Sequence, residues 1–141
     1  MRPFSGYGED QDETYPVPAI AARAARRENP LIIWGSGDQG RDFVHIDDCV
    51  EAMRLAIDTI SDGTAVNIGT GRLVTFRQVA QLFAEIAGYE PEIVAHDEMP
   101  AGVHARYADP SLAGRLLHWS PAVSLRKGLA RVYQARLAAS R

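Results

Sequence analysis

Cysteine, lysine and long apolar runs are nearly absent from this sequence of 141 residues, which holds one cysteine and one lysine. Cys49 has no partner for an internal disulfide, so we expect a reducing, cytoplasmic location. No segment approaches the roughly 20 apolar residues that span a membrane, and residues 1–8 lack the apolar segment of a signal peptide. The net charge is −3 and the arginines are scattered, so we expect neither a nucleic-acid nor a membrane partner.

What the sequence does contain indicates one α/β domain, because short apolar runs alternate with amphipathic segments and 46% of the residues are apolar. Leu31–Trp34 is a short apolar strand, and a glycine-rich loop separates it from a second strand over residues 41–46. Gly35, Gly37 and Gly40 match the dinucleotide fingerprint in spacing. That fingerprint requires a helix after the third glycine, whereas a strand is predicted here, so we favour a hairpin-like loop between two strands.

Sequence patterns typical of helix ends and helix faces predict most of the remaining elements. An alanine-rich helix is predicted over residues 19–28, with its arginines on a solvated face, and Thr75 with Gln78 forms a capping box for another helix. Asp48 and Glu51 suggest a second capping box, which opens a helix whose buried face would carry Cys49, Val50, Met53, Ile57 and Ile60. Asp109 followed by Pro110 predicts a further helix start, and Ser124 predicts the last one.

Three collinear motifs resemble the C-terminal half of the extended short-chain dehydrogenase/reductases, the NAD-dependent nucleotide-sugar epimerases and dehydratases. The first is Arg2-Pro-Phe-Ser-Gly-Tyr-Gly8. The second is Trp34-Gly-x-Gly-x-x-x-Arg-Asp-Phe-Val-His-Ile-Asp-Asp48. The third, Gly102-Val-x-x-Arg-x-x-Asp109, is most similar to GDP-mannose 3,5-epimerase-like members.

The resemblance implies a substrate-binding lobe of short strands and about five helices. It implies that residues 1–16 are a remnant strand and loop of a Rossmann part with an incomplete sheet edge, and that residues 17–141 form the nucleotide-sugar-binding lobe. Arg41 and Arg106 would hold the substrate diphosphate, and backbone groups of Ile32 and Trp34 would meet the base. Ser5 stands where the family has an asparagine that contacts the substrate, so its contact is weakened.

Family catalysis requires a Tyr-x-x-x-Lys pair and an NAD fingerprint, and neither occurs in this sequence: the single lysine is Lys127, with Val123 four residues before it. We therefore expect no catalytic residue, no metal ligand set and no activity in the isolated chain. NAD or NADP would serve the complete enzyme without binding tightly here. A separate N-terminal Rossmann half and a homodimer are the candidate protein partners. The alternative is a stand-alone binding or regulatory module, for which sequence upstream of Met1 would encode neither missing motif.

Overall fold

The α/β character follows from short strands interleaved with amphipathic helices in a computed structural model that describes residues 1–98 and 102–139. Within those ranges there are five helices: α1 (Pro16–Ala25), α2 (Ile46–Thr59), α3 (Phe76–Ala87), α4 (Ser111–Leu117) and α5 (Leu125–Ala139). The strands there are β1 (Arg2–Pro3), β2 (Ser5–Tyr7), β3 (Leu31–Trp34), β4 (Gly40–Arg41), β5 (Phe43–His45), β6 (Asn67–Ile68), β7 (Val74–Thr75), β8 (Ile93–His96) and β9 (Ala105–Arg106). The predicted fold class, α/β with about five helices, is confirmed.

Strand pairing is mostly parallel and joins distant parts of the chain. β1 pairs with β6, β2 with β5, and β3 with β8, all parallel. β4 lies between β7, which is antiparallel to it, and β9, which is parallel. The predicted hairpin-like loop after Trp34 is therefore wrong: β3 and β4 belong to different sheets, although the expected strand, loop and strand are all present.

Two apolar cores hold these elements together. The larger lies among α1, α3 and α5 and includes Phe43, Phe83 and Leu129, all buried. The smaller lies between α2 and α4, where Cys49 and Trp119 pack together with other buried residues. None of the helices in the described ranges is long and apolar enough to cross a bilayer.

Some of the helix caps predicted from the sequence are confirmed, and others are wrong. The Thr75–Gln78 capping box at the start of α3 is confirmed in both of its hydrogen bonds, and the backbone N–H of Lys127 donates to Ser124 Oγ at the start of α5. The capping box of Asp48 is wrong. The N-cap of α2 is His45, three residues earlier, because the His45 ring accepts the Asp47 N–H.

Other boundaries and surfaces also differ from the predictions. α1 begins and ends three residues before the predicted span of 19–28, and α4 has Pro110 rather than Asp109 at its N-cap. The prediction that the arginines of the first helix lie on a solvated face is wrong in part. Arg27 donates to the carbonyls of Ala87 and Gly88, which lie at the end of α3. The loop predicted from His96 to Ala108 contains β9, and its residues 99–101 lie outside the described residues.

Cys49 is a buried core residue of α2, as predicted, although Val50, Met53 and Ile57, which were predicted on the same buried face, are exposed. Burial, and secondarily the charge of Asp48, raises the pKa of its thiol to about 11. We therefore expect the folded chain to react very slowly with Ellman's reagent near neutral pH, because the thiolate is the reactive form. The same chain unfolded in urea should give one fast equivalent, and fast labelling of the native chain would contradict this burial.

Two helical glycines make a matched pair for testing helix packing. A Cβ at Gly128 in α5 would overlap the Tyr7 hydroxyl and lie 2.9 Å from His45 Cδ2, whereas a Cβ at Gly114 in α4 meets nothing closer than 3.8 Å. Alanine is favoured over glycine in a helix by about 1 kcal/mol, so Gly114→Ala should stabilise the chain by up to that amount. Gly128→Ala should instead lower the free energy of unfolding by about 1–3 kcal/mol through overpacking. Urea unfolding of both variants checks this, and equal shifts of the same sign would contradict it.

Candidate functional site

An open cavity of about 520 Å³ lies among β2, the start of α1, the end of β3 and the β4–β9 pair. Its lining is mostly apolar, and two arginines provide the positive charge. Residues on its wall include Phe4, Ser5, Tyr15, Trp34, Arg41 and Arg106. A concave, mainly apolar site with a few charged groups is typical of a site for a small organic molecule.

Arg41 and Arg106 are cross-strand neighbours in this wall. They are 65 residues apart in sequence, but they are directly paired in the parallel ladder of β4 and β9. Burial, and secondarily the charge of Arg106, lowers the pKa of the Arg41 guanidinium. Within the described residues neither arginine forms an ion pair with a carboxylate, although Glu13 also lies on the cavity wall, so both guanidinium groups remain available to an anionic ligand.

The Arg41 side chain is held in place by neutral groups. Its Nη1 donates to the carbonyls of Gly40 at 2.7 Å and Val103 at 2.5 Å. Its guanidinium carbon lies 5.7 Å from the centroid of the Phe76 ring. These contacts fix the guanidinium while leaving its charge available, which is the arrangement that pairs well with phosphate oxygens.

The other predicted residues occupy different positions relative to the cavity. Ser5 and Trp34 both line it. The Trp34 carbonyl already accepts from the Gln39 side-chain amide at 2.6 Å. The Ile32 carbonyl accepts from Arg23 Nη1 at 2.7 Å, so this oxygen is engaged within the protein rather than free for a base.

Asp42 is the organising residue that sequence reasoning missed. Its carboxylate is fully buried and accepts four hydrogen bonds: from the Thr70 N–H and hydroxyl at 2.8 and 2.5 Å, from the Gly71 N–H at 2.9 Å and from the Ala108 N–H at 3.1 Å. The backbone N–H of Asp42 also donates to the Arg106 carbonyl at 3.1 Å. Asp42 therefore joins both arginine strands to the turn after β6. The position of Asp42 directly after Arg41 was a signal in the sequence that could have indicated its importance. The groups that donate to its carboxylate, however, are distant in sequence.

A second polar cluster supports the start of α2. Because the Asp47 N–H donates to His45 Nδ1, the ring proton is on Nε2, which faces Glu9 Oε2 at 3.2 Å. Arg131 of α5 joins the cluster by donating to Glu9 at 2.5 Å and to Asp47 at 2.6 Å. Glu9 thus links the N-terminal segment to α5.

The described residues contain neither a metal cluster nor a dinucleotide cradle. They include no group of three or more histidine, cysteine or acidic side chains that could hold a metal ion. Gly35 and Gly37 have positive φ angles, but the chain continues into β4 rather than into a helix. A pyrophosphate cradle requires backbone N–H groups at a helix N-terminus, so this glycine loop does not fit NAD.

Comparison with known proteins agrees with this geometry. Residues 1–69 match the model of the NAD dependent epimerase/dehydratase family. The chain is similar to the UDP-glucose 4-epimerase of Thermotoga maritima in complex with UDP-glucose, with a TM-score of 0.90, 34% identity and coverage of 99% of this chain and 46% of that chain. These similarities support an NAD-dependent epimerase/dehydratase relationship for this chain.

Two further relatives show the breadth of this family. GDP-L-fucose synthase 1 of Arabidopsis thaliana is 37% identical over 126 residues, which are 86% of this chain and 39% of that protein. The UDP-glucuronic acid 4-epimerase of Bacillus cereus, in complex with UDP-glucuronic acid and NAD, has a TM-score of 0.85 and 30% identity, covering 96% of this chain and 43% of that chain. The chain spans about two fifths of the length of the curated relatives it matches. The finer likeness to GDP-mannose 3,5-epimerases stays a prediction.

Proposed function

We propose that this chain is the nucleotide-sugar-binding portion of an NAD-dependent epimerase or dehydratase. The observation that carries the proposal is the pairing of Arg41 with Arg106 on adjacent strands, without a carboxylate partner in the described residues, at the wall of an open cavity. A diphosphate carries the charge that such a pair lacks, and planar guanidinium groups can bind its oxygens bidentately. The relatives of known structure that hold UDP-glucose or UDP-glucuronic acid support this ligand class.

The cavity accommodates more than the diphosphate. Trp34 and Tyr15 offer aromatic surface, and Ser5 lies on β2 at the same wall. We assign the diphosphate to the arginines, while the base and the sugar occupy the remaining wall. Backbone recognition of the base at Trp34 and Ile32 remains part of the proposal. It is restricted to their N–H groups, because Gln39 and Arg23 occupy the two carbonyls.

Catalysis is assigned to groups outside this chain. In the complete enzyme NAD or NADP would supply hydride transfer, and a Tyr-x-x-x-Lys pair would supply the base. The sequence holds no such pair, and its glycine loop does not fit the cofactor. This portion would bind and orient the nucleotide sugar.

Calorimetry of the full chain with UDP, UMP and uridine tests the binding proposal. We expect affinity to fall from UDP to UMP and again to uridine, because each lost phosphate removes charge-assisted hydrogen bonds of about 1.5–3 kcal/mol. GDP in parallel determines whether the base is selected. Uridine binding as tightly as UDP, or no binding of UDP at high protein concentration, would reject the diphosphate site.

A separate assay tests the absence of chemistry. The chain incubated with NAD and UDP- or GDP-sugars should give no change in absorbance at the nicotinamide band and no new sugar product. Turnover above a blank without protein would show that the chain carries a catalytic base that the sequence does not reveal.

A further inference from the structure

One stretch of the cavity wall belongs to no helix or strand. Residues 9–15, which we call the wall segment, join β2 to α1 through turns and loop. The residues of this segment that line the cavity are Gln11, Glu13, Thr14 and Tyr15. A segment without regular backbone pairing opens easily unless other contacts hold it. The contacts of the wall segment therefore decide how well this part of the cavity is defined.

Two arginines of α5 bind the wall segment from outside the cavity. Arg136 Nη2 donates to the carbonyl of Glu9 at 2.9 Å and to the carbonyl of Gln11. Arg131 Nε donates to the Glu9 carboxylate at 2.5 Å, and its Nη1 donates to Asp47 of α2 at 2.6 Å. Because neither arginine lines the cavity, these contacts leave the ligand side of the wall open.

Helix α5 is a firm support for these contacts, because Leu129 and Val132 on the same helix are fully buried in the larger core. The buried ring of His45 also faces Glu9 Oε2, at 3.2 Å. Charge-assisted hydrogen bonds such as that of Arg131 with Glu9 are roughly twice as strong as neutral ones. The wall segment is therefore held at its first residue by both α5 and β5.

We propose that Arg131 and Arg136 are positioning residues for ligand binding. They hold the wall segment where it contacts the base and the sugar of a nucleotide sugar, and they do not touch the ligand themselves. This inference rests on the proposed function, in which Arg41 and Arg106 bind the diphosphate.

The wall segment and the arginine strands divide the ligand between them. Glu13 and Thr14 carry oxygen atoms that suit hydroxyl groups, and Tyr15 offers a flat aromatic surface. The Glu13 carboxylate repels a diphosphate, so the anionic part of the ligand belongs at Arg41 and Arg106. Loosening the wall segment should therefore weaken the contacts with base and sugar without weakening those with the diphosphate.

Arg136→Ala separates this role from general support of the fold. Inorganic pyrophosphate requires only the arginine strands, whereas UDP also requires the wall segment. If the released segment occupies its binding position about one tenth of the time, the affinity for UDP falls about tenfold. The affinity for pyrophosphate should change by less than about twofold, because distant sites act nearly independently. NMR titrations of the full chain with each ligand measure both affinities.

Backbone relaxation tests the same inference without any ligand. The heteronuclear NOE values of residues 10–14 should fall in Arg136→Ala, because the carbonyls of Glu9 and Gln11 lose their donor. Arg136→Lys should restore part of the NOE values and of the UDP affinity, since an ammonium group can donate to the same carbonyls. Arg131→Ala should act in the same direction and more weakly, since it leaves these two hydrogen bonds in place.

Arg126→Ala is the matched control on α5. Arg126 pairs with Glu85 of α3 at 2.5 Å, and its removal should leave both affinities and the NOE values unchanged. Unchanged NOE values in Arg136→Ala, or equal losses of affinity for UDP and pyrophosphate, would overturn the inference. If the unaltered chain binds neither ligand, the proposed function fails, and the NOE values still decide whether α5 holds the wall segment.

Discussion

Arg41→Ala and Arg106→Ala should each weaken UDP binding by roughly ten- to a hundredfold. Each guanidinium is expected to contribute charge-assisted hydrogen bonds of about 1.5–3 kcal/mol, and about 1.4 kcal/mol corresponds to a factor of ten in affinity. Because the two residues are paired on adjacent strands, both should contact the same diphosphate. The double variant should therefore lose less than the product of the two single losses, since contacting residues are not additive. Calorimetry at high protein concentration measures all three constants.

Arg26→Ala is the matched control for this series. Arg26 is also an exposed arginine, but it pairs with Glu28 beyond α1 and does not line the cavity. Its removal should leave the UDP affinity unchanged. If Arg26→Ala weakens binding while the other two variants do not, the diphosphate site has been placed on the wrong surface.

Asp42→Ala should destabilise the chain more than Gly128→Ala does. It would remove the charged acceptor of the buried Ala108 N–H and of the part-buried hydrogen bonds from the Thr70 and Gly71 N–H groups. Hydrogen bonds to a charged group contribute about 1.5–3 kcal/mol each, so we expect a loss of at least about 3 kcal/mol in the free energy of unfolding. Such a loss is a large part of the free energy of unfolding of a typical domain, which is roughly 5–15 kcal/mol. The urea midpoint measures the loss.

Two further variants separate charge from simple truncation at this position. Asp42→Asn keeps the shape of the side chain, but its NH₂ group must face either the Thr70 donors or the Gly71 and Ala108 donors, so it should also destabilise. Asp62→Ala removes an aspartate whose contact with the Thr64 N–H is similar but exposed, and it should leave the urea midpoint unchanged. A small effect of Asp42→Ala, close to that of Asp62→Ala, would contradict the role assigned to the buried carboxylate.

Short sequence patterns correctly predicted the helix cap that is formed by residues close in sequence. The capping box of Thr75 involves residues three apart and formed as expected. Asp48 has an equally good local pattern, yet its carboxylate accepts from the N–H groups of Ala122 and Val123, which lie 74 and 75 residues away. The Asp48 carboxylate therefore binds backbone N–H groups that are distant in sequence instead of capping α2. Nothing in the neighbouring sequence indicates these partners.

Periodicity could not identify which side of α2 faces the core. The apolar residues Val50, Met53 and Ile57 repeat at helical spacing. The face that packs inward is instead the one with the smaller residues Cys49 and Ala52. Periodicity shows that a face is apolar without showing what covers it. The Arg41–Arg106 pair was anticipated only through the family resemblance, because parallel pairing of β4 with β9 brings together residues that no local pattern connects.

Mapping UDP binding by NMR on the isotope-labelled chain tests the central claim most directly. Addition of UDP should shift the backbone amides of Gly40, Arg41, Ala105 and Arg106, together with the Trp34 indole, and inorganic pyrophosphate should reproduce the shifts at the arginine strands but not at Trp34. Amides of α1 around Arg26 should not move. Shifts confined to α1, or an absence of shifts at both arginine strands, would contradict a diphosphate site between β4 and β9.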